Sequence, residues 1–160
     1  MTKEEKETLG EKAYQLAFHY ELRFGCCPQC VLATIQETVG LVTDETIKAS
    51  HGLSGGGGLI GDGACGALTG GLLALSCKRG RDRDKFDKGK CIGNFKTGKT
   101  LVDRFQNTYG GVTCKHLQQR FTGRTYDLWD ARQYTEFSEA RSDQCAHATG
   151  LVTKWVIELW

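Results

Sequence analysis

The chain has one proline, one methionine and no long apolar run in its 160 residues. A single proline argues against a loop-rich secreted module. It also argues against the thioredoxin fold, which needs a cis-proline separate from its CxxC pair. The N-terminal Met1-Thr2-Lys3-Glu4-Glu5-Lys6-Glu7 lacks the apolar stretch of a secretion signal, and no twin-arginine signal is present. The least polar stretch, Leu53 to Ser76, is rich in glycine and broken by Asp62, so no membrane span is expected. Charge of one sign is also scarce. A formal net charge of +2 gives no reason to expect nucleic acid as a partner. Charged residues at 25% and hydrophobic ones at 39% describe one globular domain spanning 1–160. The expected location is cytoplasmic. Thiols stay reduced there, so eight cysteines point to metal or redox chemistry before disulfides.

The apolar periodicity is helical, and no segment alternates like a strand. Leu9, Ala13, Leu16, Ala17 and Tyr20 mark an amphipathic first helix. Pro28 suits the first turn of a second, with Cys27 at its cap. Thr43 is the expected cap of a third. From His51 to Gly71 half the residues are glycine: Gly55 to Gly58 must turn, and Cys65 to Cys77 reads as an apolar helix. Gly66 and Gly70 lie one turn apart on it, as do Ala67 and Gly71. Such a stripe serves either tight helix packing or a wall facing a cofactor, so Gly66 and Gly70 are candidate cofactor-binding positions. Lys78 to Lys90 carries seven basic and three acidic residues and reads as a solvated basic insert over about 78–96. Later helices are expected around Leu101–Tyr109, after Thr113, within Tyr126–Ala140, and from a Ser142 cap through Leu159. The expected fold is therefore all-α, a single helical bundle with a glycine-rich loop and helix at its centre.

Gly93-Asn94-Phe95-Lys96-Thr97-Gly98-Lys99-Thr100 matches the Walker A pattern. A phosphate loop must follow a buried strand, and Asp87 to Ile92 cannot form one. The expectation is a helix start capped by Thr97. Gly56, Gly58 and Gly61 match dinucleotide-binding spacing, again without a preceding strand.

The cysteines carry more. Cys26-Cys27-Pro28-Gln29-Cys30 holds the one CxxC. Cys27, Cys65, Cys114 and Cys145, from four separate places, fall in first turns of expected helices. Free amides and the positive helix end stabilise thiolate there, which is both metal ligand and nucleophile. Cys26, Cys77 and Cys91 lack this context. His116, two residues after Cys114, is weaker as a ligand than as a surface or core residue.

Several of these segments together resemble one family. They are Cys27-x-Gln29-x-Val31-Leu32, the glycine run into Cys65-Gly66-Ala67-Leu68-Thr69-Gly70, Tyr109-Gly110 before Cys114, and Cys145. From about residue 8 onward the chain resembles the C-GCAxxG-C-C family of redox-active proteins. The resemblance implies a small, largely helical redox-active protein whose four family cysteines correspond to Cys27, Cys65, Cys114 and Cys145. Some relatives are fused to haem-binding cytochrome segments, as in split-Soret cytochromes, and the resemblance implies an iron–sulfur centre of the kind inferred there. The chain departs from the pattern in adding Cys26 and Cys30 and the basic insert, so Cys30 stands as an additional or alternative ligand. The leading expectation is electron transfer or redox sensing through an iron–sulfur-type centre held by four cysteines. Zinc is the weaker choice, since its structural sites gather two CxxC pairs. The implied partner is a redox protein such as an oxidoreductase, with homo-oligomers left open. Metal-free thiol–disulfide exchange is the alternative, as is an interaction module using a Trp155/Trp160 stripe.

Overall fold

The structure, a computed structural model, describes all 160 residues, Met1–Trp160. It is all-α, with eight helices and no strand. The first helix, α1 (Lys3–Phe24), starts earlier than its apolar stripe, because Thr2 and Glu5 form a reciprocal capping box. Its Gly10, Ala13 and Ala17 are buried small residues, which let the last helix lie close along it. Then follow α2 (Cys27–Val39), α3 (Asp44–Ala49), α4 (Gly66–Arg79), α5 (Ile92–Tyr109), α6 (Cys114–Thr122), α7 (Ala131–Ala140) and α8 (Gln144–Leu159). Thr43 caps α3 and Thr113 caps α6, as their side-chain chemistry dictates.

Helix α4 is the centre, packed on α2, α5 and α8. Val31, Leu32 and Ile35 of α2 meet Ala67, Leu68 and Leu75 of α4. Leu101, Phe105, Val152 and Val156 close the core. The small-residue stripe is what permits this. A methyl group at Gly70 would lie 2.8 Å from the Pro28 Cα and 2.9 Å from its carbonyl oxygen. At Gly71 it would strike Val152 and Leu101. Trp160, expected on a partner-facing stripe, is buried with the Lys78 ammonium over its ring.

Three helix starts differ from the sequence reading. Ser142 does not cap α8. It adopts a left-handed φ of 50°, and Asp143 occupies the cap position without a side-chain bond. Cys26, at φ 63°, is the residue before α2, so Cys27 is its first helical residue. Thr97 lies inside α5, its hydroxyl donating to the Gly93 carbonyl. The whole Walker-like octad is thus helical, with no loop to curl round a phosphate, and Lys99 pairs with Asp103 at 2.6 Å in solvent. The basic insert is shorter as a loop than 78–96. Lys78 and Arg79 finish α4 and residues 92–96 begin α5, with a 3₁₀ turn at Arg83–Lys85 between.

Candidate four-cysteine site

Three backbone features gather the cysteines. Pro28 opens α2 beside Gly66 of α4, where a Cβ would lie 2.7 Å from the proline ring. The glycine loop before α4 folds on itself with left-handed φ at Gly55 through Gly58. A side chain at Gly56 would strike Gly61 and Gly63. That loop then docks on the start of α6. The Cys65 amide donates to the Val112 carbonyl at 2.7 Å, and the Cys114 and Lys115 amides donate to Gly63 and Gly61 at 3.0 and 2.9 Å. Asp62 in that loop bonds Lys115 at 2.7 Å.

The result is one cavity of about 70 Å³ lined by Cys27, Cys65, Cys114 and Cys145, together with Cys26, Glu21 and Arg141. Space of that kind accepts several waters or a compact inorganic group. Leu59, Leu128 and Phe137 form its apolar wall, and Cys145 packs against that smaller cluster rather than the main core. Gly66 lines the cavity. Gly70 does not; its place is under α2. Cys30 faces a different depression, bounded by Tyr20, Phe24 and Glu37, and donates to the Gly25 carbonyl at 2.9 Å. Cys77 and Cys91 are exposed. His116 is bound through Nε2 to the Tyr109 carbonyl at 2.9 Å, away from the cavity.

Cys27, Cys114 and Cys145 sit in first turns and Cys65 is the cap residue of α4, yet their acidity moves opposite to the sequence reading. Burial pushes all four up, since a thiolate loses more hydration than a thiol. Burial raises Cys27 well above the ordinary thiol value, with the nearby Glu21 charge adding to it. Cys145 is pushed up to about 11 by burial, with Arg141 opposing. Helix amides act only where they remain free: those of Ala67 and Leu68 reach the Cys65 sulfur, whereas the first amides of α6 are spent on the glycine loop and Thr113.

Glu21 and Arg141 are the functional residues that sequence reasoning missed. Glu21 is 3% exposed. Its Oε1 accepts from the Cys27 thiol at 3.4 Å and lies 3.7 Å from Arg141 Nη1, while Oε2 has no partner. Burial raises its carboxyl pKa, with Arg141 opposing. A signal for it existed: Glu21 extends the buried stripe Ala13, Ala17 by one further turn, so a charge fell on an apolar face. Arg141, beyond the end of α7, left none. No three His, Cys, Asp or Glu side chains converge closely enough to hold a single metal ion.

Fold and cavity together define a small helical protein with a buried, thiol-lined site. The family model described as "Putative redox-active protein (C_GCAxxG_C_C)" matches residues 25–159, and the chain belongs to that family. No curated protein and no solved structure matches it. No helix is long and apolar enough to cross a membrane.

Proposed function

We propose that the cavity is the redox centre of an electron-transfer or redox-sensing protein, and that Cys27, Cys65, Cys114 and Cys145 hold an iron–sulfur-type group there. The observation that carries this reading is that four thiols from four helix starts line one buried cavity that also contains a guanidinium. The donor set fits. Four cysteine sulfurs are the usual complement of such a group, and Arg141 offsets part of the negative charge that four thiolates bring. Structural zinc usually gathers two close CxxC pairs and this chain has one, which favours an iron–sulfur-type group over zinc.

When bound, such a group takes up or gives up one electron without changing its ligands. The chain's own residues do the rest. The thiols surrender protons on loading, Arg141 stays charged beside Cys145, and Leu59, Leu128 and Phe137 limit water. Exchange with a protein redox partner in the cytoplasm belongs to this reading. Purification without oxygen, followed by iron and sulfide counts and a visible spectrum, tests it. Stoichiometric iron and sulfide with a brown colour are expected. A colourless protein that cycles between dithiol and disulfide would replace it with metal-free thiol exchange.

A further inference from the structure

Glu21 and Arg141 form a buried pair that is poorly made as an ion pair. Their side chains are 2% and 22% exposed, and their closest approach, Oε1 to Nη1, is 3.7 Å. A forked arginine–carboxylate pair would use both oxygens at about 2.7–2.9 Å. Here Oε2 accepts nothing. The guanidinium is divided instead. It shares the cavity wall with Cys145 and stacks its charge over the Phe137 ring at 5.2 Å. The carboxylate is divided as well, since Oε1 also takes the Cys27 thiol.

An arrangement selected for stability alone would not look like this. A buried carboxylate oxygen without a donor raises the free energy of the fold, and an apolar or amide side chain at position 21 would remove that cost. What the pair does supply is a guanidinium cation and an ionisable carboxyl in the wall of a thiol-lined cavity, the carboxyl bonded to Cys27 and the guanidinium sharing the wall with Cys145. In a low-dielectric site such charges act strongly on any neighbouring group whose own charge changes.

We propose that the Glu21–Arg141 pair sets the electron affinity of the four-cysteine centre. Arg141 is the counter-cation that favours the more negative, reduced state. Glu21 is the positioning residue that draws Arg141 into the cavity wall and opposes its effect. This rests on the iron–sulfur reading above, and the test separates the two.

The anaerobically purified full chain is compared with Glu21→Gln, Arg141→Met and Arg141→Lys. Iron and sulfide are counted, and the midpoint potential is taken by dye-mediated titration. With iron retained, the potential shifts positive in Glu21→Gln and negative in Arg141→Met, and Arg141→Lys restores part of the latter loss. Retained iron with unchanged potentials overturns the proposal. Wild-type protein without iron overturns the cluster reading instead. The pair is then judged on the metal-free thiols: Arg141→Met should slow alkylation of Cys145 by iodoacetamide several-fold and Glu21→Gln should speed it. Equal rates overturn the proposal there too. Should Arg141→Met fail to fold, Arg141→Lys and Glu21→Gln carry both readouts. A thermal midpoint lowered in metal-free Glu21→Gln marks the pair as structural and also overturns it.

Discussion

Cys27 and Cys30 lie three residues apart on one helix and face different spaces. Cys27 lines the cavity with the other three family cysteines, whereas Cys30 turns toward the Gly25 carbonyl. Cys27→Ser should therefore remove most bound iron and Cys30→Ser little, as metal analysis of the purified variants would register. Loss in Cys30→Ser with retention in Cys27→Ser would reverse the assignment. Exposure separates the remaining thiols. Cys77 and Cys91 are exposed, while burial keeps the cavity thiols protonated. In folded, metal-free protein iodoacetamide should label Cys77 and Cys91 well before Cys27 or Cys65, as peptide mass mapping would reveal. Labelling of Cys65 at the rate of Cys91 would mean that the cavity is open. At this scale the identity of the four cysteines was legible from helix starts and from the motif. Their acidity was not. Helix-end stabilisation is a local property visible in sequence, and burial is a tertiary one that outweighs it here.

At the scale of elements, helix existence was readable and helix starts were less so. The apolar period marked α1, α4 and α8, but caps depend on which side chain the backbone happens to meet. Thr43 and Thr113 did meet an amide; Ser142 and Thr97 did not. The Walker-like octad shows the same limit from the other direction: eight matching letters describe a loop only if a strand delivers them, and here α5 absorbs them all. Lys99→Ala should leave redox behaviour unchanged and reveal no nucleotide affinity by calorimetry. Tight ATP binding that vanishes with this substitution would overturn that reading. The glycines divide along the same line. Gly70→Ala pushes a methyl group into the Pro28 backbone, so it should cost roughly 1–3 kcal/mol and weaken the α2–α4 contact that positions Cys27. Gly93→Ala, in the first turn of α5 with nothing within 4 Å, should be neutral or stabilise by up to about 1 kcal/mol. Denaturant midpoints of the two variants check both values. Equal effects would mean that α2 and α4 are not in close contact.

For the whole molecule, four buried thiols make stability depend on pH and on what fills the cavity. The Cys145 thiol ionises near the ordinary value of 9.0 in the unfolded chain and only at about 11 in the folded one. Between those values the unfolded state binds fewer protons than the native state, so stability falls as pH rises. This one group accounts for a loss of about 2 kcal/mol by pH 11. Cys27, Cys65 and Cys114 are raised in the same direction and add to it. Glu21 has the same sign at lower pH: its raised carboxyl holds a proton that the unfolded chain has already released, so stability is lost as pH rises through its folded value. The metal-free protein should therefore be most stable at mildly acidic pH and lose thermal stability steadily above about pH 9. Filling the site changes the bookkeeping, because sulfurs bound to metal no longer titrate in that range. Loaded protein should keep its thermal midpoint through pH 9–11, and chelation should restore the alkaline decline. Thermal midpoints measured across pH before and after chelation decide the matter. A metal-free protein whose midpoint stays level from pH 8 to 11 would mean that the thiols are not held protonated by burial, and the closed cavity would lose its physical basis.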